Sequence, residues 1–302
     1  MEGLILRSLG GFYTVISEDG TRTECRGRGI FRKDQTTLLV GDRCTFEPTE
    51  PGCGSITAIA PRKNTLQRPP VANLDRLALV ISLADPAPNA TVIDQLTAIA
   101  ARREIPVVVI FTKPDLADPA PWVEIYRKAG YPTAVVNNLT GEGLEIASLL
   151  LRGGITAFCG NSGAGKSSLM NGLYPDLKLA TGEISKKLGR GRHTTRHVEL
   201  FPDGHGGWLC DTPGFSALEF TRSEPMPAAE LAECFPEMEQ YQDRCRYTGC
   251  SHRTEQGCAV LEAVREGLIP ESRHKSYIAI YNELKELKEW ELAKAERSRG
   301  GI

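Results

Sequence analysis

The chain has 302 residues, of which 41% are apolar and 25% are charged, and its formal net charge is −2. This composition is typical of a globular protein with two or three domains, and near-neutrality argues against wholesale binding of a polyanion. No apolar run approaches the roughly 18–20 residues of a membrane-spanning helix, and we expect no signal peptide. Nine cysteines without a secretion signal indicate a reducing compartment, so we expect a cytoplasmic protein.

Residues 1–68 are predicted to form a small β-barrel. Five short β-branched runs are separated by Gly-Gly, Asp-Gly and Gly-Asp turn signals. Five strands in this length suit an OB-fold, a common oligonucleotide platform, although other five-stranded barrels fit the pattern equally well. The mild excess of basic residues in this segment does not by itself indicate RNA binding.

Residues 69–222 alternate between strand and helix patterns, which predicts a doubly wound α/β domain. The segments 91–103 and 142–152 have the apolar spacing of helices. A Pro-Pro pair at 69–70 cannot continue regular structure and marks the domain boundary. Continuous apolar runs are expected to be buried parallel strands, and they lie at 75–82, 106–112, 132–137, 154–160 and 207–211.

Residues 223–302 form an α-rich segment with a Cys/His cluster at 245–258. A long charged helix is expected at about 272–298, with an apolar stripe that packs against the rest of the protein.

A phosphate-binding loop, G-x-x-x-x-G-K-[ST], follows the predicted strand at 154–160 and opens a helix. Its glycines let backbone N–H groups surround phosphates at a helix N-terminus, where the dipole favours anions. Lys166 is expected to reach the β- and γ-phosphates, and the Ser167 hydroxyl to bind Mg²⁺. The expected phosphate-binding residues are Gly160, Asn161, Ser162, Gly163, Ala164, Gly165, Lys166, Ser167 and Ser168.

The stretch FTKPD, ending in Thr112, Lys113, Pro114 and Asp115, is similar to the N-K-x-D guanine signature. Asp115 can accept hydrogen bonds from the ring N–H and the exocyclic amine of guanine, a pair that adenine does not offer. The stem of Lys113 can cover the face of the base. Thr112 replaces the usual Asn, so its contact with the base is weaker or different. Alone, the same letters also suit an ordinary strand-to-turn junction.

Two further segments complete a GTPase motif set. In DTPG, Asp211 is expected to hold Mg²⁺ through water, and the Gly214 N–H to contact the γ-phosphate. Thr194 and Thr195 are both candidates for the switch threonine that binds Mg²⁺, and we assign Thr195. NNLTGEGL at 137–144 resembles the guanine-supporting S-A-x-x-G-x-G-L loop, with two asparagines at the Ser-Ala places.

The motif order is base-reading loop, second guanine loop, phosphate loop, switch threonine and D-x-x-G. A Ras-like GTPase has the same five motifs, but the phosphate loop, the switch threonine and D-x-x-G come before the two guanine loops. We therefore expect a circular permutation. Such a rearrangement can keep the same site because domain termini often lie close together. Phe215 stands where Ras-like enzymes place the Gln that orients the attacking water, so intrinsic hydrolysis is expected to be slow. His193 is the best substitute as a catalytic residue; the alternative is that it contacts RNA or solvent.

Cys245, Cys250, His252 and Cys258 form the pattern C-x4-C-x-H-x5-C. Four soft ligands suit one closed, structural Zn²⁺ site, and the alternatives are redox-active or free thiols. The stretch from Lys186 to Arg196 contains five basic residues and no acid, and it overlaps the proposed switch. An RNA phosphate backbone is a natural partner for it, although charge runs are often only solvated loops.

Together, TKPD, GNSGAGKSS, GRHTT, DTPGF and the Cys/His pattern behind a barrel resemble the circularly permuted ribosome small-subunit-dependent GTPase A family over essentially the whole chain. The resemblance implies an OB-fold, a permuted GTPase domain and a zinc domain. It also implies a monomer that binds the small ribosomal subunit and its rRNA during late maturation, and whose GTP hydrolysis the subunit stimulates. Two rival functions stay open at this point: a P-loop kinase or ATPase, and a nucleotide-gated RNA-binding module without meaningful catalysis.

Overall fold

A computed structural model describes residues 1–33, 36–67, 70–175, 198–211 and 226–286 of the chain. No helix among these residues has the length and apolar character needed to cross a membrane.

The N-terminal segment is a closed five-stranded barrel. The strands pair in the order β1–β2–β3–β5–β4 and close through β1–β4; only the β3–β5 pairing is parallel. Its interior holds one apolar cluster that includes Ile5, Val15, Phe46 and Ile56. The predicted OB-like barrel is therefore confirmed. A short helix, α1 (Gly29–Lys33), follows β3, and the strands are β1 (Glu2–Leu9), β2 (Phe12–Ser17), β3 (Arg22–Gly27), β4 (Arg43–Pro48) and β5 (Cys53–Ile59).

Short strands lie on either side of the junction after the barrel, and the second residue of the Pro-Pro pair, Pro70, begins one of them. Strands β6 (Thr65–Gln67) and β7 (Pro70–Ala72) form a small antiparallel hairpin. Pro70 is the first residue of its strand, a position where a missing N–H group is tolerated. The buried Ala72 donates its backbone N–H to the Val40 carbonyl at 2.9 Å, which ties the hairpin to the barrel.

A six-stranded sheet forms the middle of the chain, in the order β10-β9-β8-β11-β13-β12. All its neighbouring strands are parallel except β12, which the sequence patterns did not predict and which runs antiparallel to β13. A single pairing of Arg7 with Glu199 joins β12 to the barrel strand β1. The strands are β8 (Arg76–Ser82), β9 (Val107–Thr112), β10 (Thr133–Val136), β11 (Ile155–Cys159), β12 (Glu199–Pro202) and β13 (Trp208–Asp211).

Helices cover both faces of this sheet, which confirms the doubly wound prediction. Alternate strand residues face opposite sides, so Leu77 and Leu79 belong to one apolar cluster while Ala78 and Val80 belong to another. Helices α2 (Ala90–Arg102) and α3 (Ala120–Lys128) pack on the first side, and α4 (Leu144–Leu151) and α5 (Lys166–Leu173) on the second. Helix α3 was not predicted; its one fully buried side chain, Tyr126, gives it a weak periodic signal.

The C-terminal segment is helical and packs on α2. Tyr277, Ile280 and Leu284 are the buried apolar residues of its longest helix, α8 (Glu271–Lys285). This helix begins as predicted, and the rest of the expected span to 298 lies outside the described residues. Two 3₁₀ turns (Ala228–Glu230 and Ala232–Cys234) and two short helices, α6 (Pro236–Gln242) and α7 (Ala259–Arg265), precede it.

Candidate functional site

The predicted nucleotide-binding motifs meet at one edge of the sheet. TKPD begins at the last residue of β9, and the asparagine pair at 137–138 follows β10. The phosphate loop follows β11, and Asp211 is the last residue of β13. These strands are parallel, so their carboxyl ends share an edge, where α/β sheets bind their ligands. Segments separated by up to 100 positions in sequence therefore converge on one cleft.

The phosphate loop fits so closely against β8 that glycine is required where it begins. Gly160 has a φ of +154°, and a Cβ at this position would lie 2.1 Å from the Val80 carbonyl oxygen. Gly165 has a φ of +85° and caps the N-terminus of α5. The loop thus turns tightly from strand to helix and directs the helix N-terminus toward the cleft, which favours an anion.

Lys166 lies across the loop that it follows. Its Nζ donates hydrogen bonds to the carbonyl oxygens of Gly160 at 2.7 Å and Asn161 at 2.9 Å. The ammonium group is therefore held at the mouth of the loop, where it can meet a phosphate. Burial raises the pKa of the neighbouring Cys159 to about 12, so this thiol stays protonated and has a packing role.

TKPD contacts the phosphate loop directly. The buried Thr112 hydroxyl donates to the Ala164 carbonyl oxygen at 2.7 Å. Lys113 has a positive φ of +60°, and its Nζ donates to the Ala84 carbonyl oxygen at 3.1 Å and to that of Asp85. Asp115, two residues further on, is exposed. The motif is thus joined through Thr112 to the loop that is predicted to bind phosphate.

The second guanine loop is shaped by Asn137. Its side-chain Oδ1 accepts the backbone N–H groups of Leu139 at 2.9 Å and Thr140 at 3.3 Å, closing a tight turn. The adjacent Asn138 donates from Nδ2 to the Gly165 carbonyl oxygen at 3.3 Å. This loop therefore contacts the phosphate loop as well.

Several predicted residues lie outside the described part of the chain: His193, Thr194, Thr195, Gly214, Phe215 and the basic stretch from Lys186 to Arg196. For Asp211, the structure describes the backbone, which pairs with Glu199 across β12 and β13. The roles assigned to all of these residues stay predictions.

The Cys/His residues meet in one cluster. The Sγ atoms of Cys245 and Cys258 are 3.8 Å apart and lie 3.6 and 3.5 Å from Nδ1 of His252. With Cys250, the four ligand atoms lie within 4.8 Å of one another. A tetrahedral ion with bonds of about 2.3 Å to sulfur separates its ligands by roughly 3.7 Å. The cluster therefore has the size and the donor set to hold a metal ion.

Neighbouring side chains hold the loop that carries this cluster. Nε2 of His274 bonds to the His252 carbonyl oxygen at 2.8 Å. The Tyr277 hydroxyl donates to the Ser251 carbonyl oxygen at 3.0 Å. Glu255 accepts the Ser251 hydroxyl and several backbone N–H groups of the loop. Partial burial alone would raise the pKa of Glu255, but these hydrogen bonds lower it to about 2. The carboxylate is thus charged at neutral pH and fixes the turn.

Comparison with known proteins agrees with this geometry. The profile of the RsgA GTPase family matches residues 59–221, and that of the RsgA N-terminal domain matches residues 2–56. A relative from Geobacillus kaustophilus, named Small ribosomal subunit biogenesis GTPase RsgA, is 45% identical over 95% of this chain and 98% of its own. A relative from Moorella thermoacetica with the same name is 43% identical, over 94% of this chain and 97% of the relative's chain. The chain belongs to the RsgA GTPase family.

Solved structures of similar proteins share the whole architecture. YjeQ from Thermotoga maritima superposes with a TM-score of 0.80 at 33% identity, over 95% of this chain and 99% of its own. YloQ, described as a circularly permuted GTPase, superposes with a TM-score of 0.79 at 33% identity, over 95% of this chain and 96% of the YloQ chain. The predicted permutation is confirmed, and this RsgA GTPase is a GTP hydrolase. Both rival functions, the kinase or ATPase and the module without catalysis, are thereby excluded.

The motifs did not reveal every contact of the site in this RsgA GTPase. The turn closed by Asn137 could have been anticipated, since asparagine commonly bonds to the backbone two residues ahead. The hydrogen bonds from Lys113 to the Ala84 and Asp85 carbonyl oxygens could not have been anticipated, because they join loops that only the folded sheet brings together.

Proposed function

We propose that this RsgA GTPase binds the small ribosomal subunit during late maturation and that the subunit stimulates its hydrolysis of GTP to GDP and phosphate. The structural observation that supports the nucleotide site is the joining of the TKPD and phosphate loops through the Thr112–Ala164 hydrogen bond. That contact favours one guanine-nucleotide site at the sheet edge. Further support comes from relatives named for small-subunit biogenesis that match the barrel as well as the GTPase segment.

In this proposal GTP lies along the carboxyl edge of the sheet. Asp115 reads the base, the loop from Gly160 to Ser168 binds the phosphates, and Gly214 contacts the γ-phosphate. Ser167, Thr195 and Asp211 would hold Mg²⁺, and a bound Mg²⁺ would supply positive charge next to the phosphates. Lys166, whose ammonium lies at the mouth of the loop, would stabilise negative charge on the β- and γ-phosphates.

The three proposed domains are residues 1–68, 69–222 and 223–302. We assign rRNA contacts to the barrel, to the basic stretch before β12 and to the C-terminal domain. Hydrolysis of GTP would then release the protein from the subunit. The protein is proposed to act in the cytoplasm as a monomer.

The Cys/His cluster is proposed to hold one structural Zn²⁺. Three thiolates and one imidazole fill a tetrahedral shell, which leaves no open position for a substrate. The spacing of the described ligand atoms supports this assignment. The ion would stabilise a loop that has few apolar residues of its own.

The test is GTP turnover measured with and without purified small ribosomal subunits, with large subunits as the control. We expect slow intrinsic hydrolysis and an acceleration of at least about tenfold by small subunits only, a change of roughly 1.4 kcal/mol in the barrier. Equal turnover in the presence and absence of small subunits would overturn the proposal.

A further inference from the structure

One short strand joins the barrel to the GTPase sheet beside the proposed nucleotide site. This strand is β12, which lies between β13 and the barrel strand β1. Its first residue, Glu199, pairs with Asp211 of β13 on one side and with Arg7 of β1 on the other. Thr195, the predicted switch threonine, precedes Glu199 by four positions. Since neighbouring strands lie about 4.8 Å apart, the backbone of Arg7 is only roughly 10 Å from that of Asp211.

An irregularity in β1 keeps the Arg7 side chain on the outside of the barrel. Ile5 belongs to the barrel core, and a Cβ built on Gly3 would lie 2.5 Å from Val15 of that core. Strict alternation along the strand would turn Arg7 inward as well. The pairing with β2 shifts by one residue between Ile5 and Arg7, and the Arg7 side chain is 42% exposed. The bulge therefore directs this side chain out of the barrel, toward β12.

Apolar side chains pack at the same junction. Leu6, which lies in the bulge, is buried in the apolar cluster on the first side of the GTPase sheet and not in the barrel core. Val198 and Leu200, the two neighbours of Glu199, are buried in that cluster too. Close-packed interiors transmit strain because they are barely compressible. A displacement of β1 is therefore passed on to β12.

The ion pair at this junction is incomplete. Arg7 Nε lies 3.9 Å from a carboxylate oxygen of Glu199, about 1 Å beyond an ordinary hydrogen bond. This nitrogen is buried and has no hydrogen-bond partner in the part of the chain that the structure describes. Buried polar atoms are nearly always paired. A shift of about 1 Å would complete the bond, so the junction allows two arrangements, with and without it.

We propose that Arg7 and Glu199 are positioning residues that couple binding of the small subunit at the barrel to GTP hydrolysis. Docking of the barrel completes the hydrogen bond between them, and β12 shifts with Glu199 relative to Asp211. Coupling between two sites is reciprocal, so bound GTP in turn favours the completed bond and tightens binding to the subunit. The inference rests on the proposed function, since it supplies a route for the stimulation.

The experiment compares wild-type protein with Arg7→Ala, Glu199→Ala and the reversed pair Arg7→Glu/Glu199→Arg. It measures the acceleration of GTP turnover by small subunits, and the ratio of subunit affinities with a non-hydrolysable GTP analogue and with GDP. Each single variant should lose about fivefold in both quantities, the upper value for a half-exposed ion pair. Turnover without subunits should not change, because the bond is not formed in the free protein. The reversed pair should recover both quantities, since it forms the same bond with the charges exchanged.

Arg28→Ala is the matched control, because it also removes one positive charge from the barrel and its pair with Glu47 lies within the barrel. It should weaken subunit binding equally with both nucleotides and leave the affinity ratio unchanged. Single variants of Arg7 and Glu199 that keep the wild-type acceleration and ratio would overturn the inference. An equal loss of the ratio in Arg28→Ala would overturn it as well. If small subunits fail to accelerate the wild-type protein, the proposed function itself is wrong.

Discussion

At the scale of single residues, the site is organised by side chains that bond to carbonyl oxygens of the phosphate loop and to none of its N–H groups. Thr112 bonds to the Ala164 carbonyl oxygen, Asn138 to that of Gly165, and Lys166 to that of Gly160. All three acceptors are carbonyl oxygens, which phosphate cannot use because it is itself an acceptor. The loop is therefore braced before it meets its anion, which reduces the ordering that binding requires.

Replacing Asp115 with asparagine should change which base the protein prefers. Asparagine can donate to the carbonyl oxygen at position 2 of xanthine but no longer accepts two N–H groups from guanine. We expect GTP affinity to fall by roughly 100-fold, about 2.7 kcal/mol for a lost charged hydrogen-bond pair, and XTP to become the better ligand. Competition binding with GTP, ATP and XTP measures this. A variant that still prefers GTP would contradict the role of Asp115.

Replacing His193 with alanine should abolish subunit-stimulated hydrolysis and leave GTP affinity unchanged. Phe215 cannot orient water, and His193, next to the switch threonines, is the best substitute for that role. Single-turnover hydrolysis with small subunits, together with a GTP titration, separates the two effects. Unchanged turnover would instead favour a role for His193 in contacting RNA or solvent.

At the scale of elements, the Cys/His loop depends on helix α8. His274 and Tyr277 bond to the carbonyl oxygens of His252 and Ser251, so the helix holds the loop that contributes the ligands. The loop's own turn is fixed by Glu255. Helix α8 thus stabilises the same short segment that carries the candidate metal ligands.

Replacing Cys250 with serine should remove the metal and loosen this loop. We expect bound zinc to fall from about one ion per chain to well below half, because a structural site needs all four ligands. Metal analysis after dialysis measures this, and the thermal midpoint should fall with it. Cys53→Ser is the matched control, since Cys53 is exposed and lies outside the cluster. Full zinc retention by Cys250→Ser would rule out the assigned ligand set.

At the scale of the whole molecule, a buried ion cluster joins the C-terminal segment to the GTPase segment. Arg273 of α8 is fully buried and pairs with Asp94 of α2 at 2.7 Å and with Glu237 of α6 at 2.6 Å. Burial alone would lower the pKa of Arg273, but the two carboxylates outweigh it and raise the pKa well above its ordinary value. The guanidinium therefore stays charged and fixes the packing of α8 on α2.

Replacing Arg273 with methionine should destabilise the protein strongly, because it leaves Asp94 and Glu237 buried without a cation. The expected loss is about 3–5 kcal/mol of the free energy of unfolding. Lys275→Ala, on the same helix, is the control: its pair with Glu271 at 2.8 Å is exposed, so the free energy of unfolding should change little. Urea unfolding of both variants measures the difference. If both variants lost the same free energy of unfolding, the buried cluster would contribute no more stability than the exposed ion pair.

Much of the fold could be predicted because its elements carry strong local patterns. The buried strands β8, β9 and β11 are continuous apolar runs between turn residues, and the barrel strands are separated by glycine turns. Weaker signals failed: α3 buries one side chain fully, and β12 has four residues. A short element whose partners are distant in sequence leaves little periodicity to detect.

The sequence by itself determined the motifs, their permuted order and the ligand pattern of the metal cluster, since these depend on residue type and spacing alone. Only the tertiary structure decided that Thr112 and Asn138 converge on Gly165 and that Arg273 meets Asp94. Those contacts join segments far apart in the chain, and sheet order and helix packing bring them together. Hydrogen bonds act over about 3 Å, so which donor serves which acceptor is set by that packing.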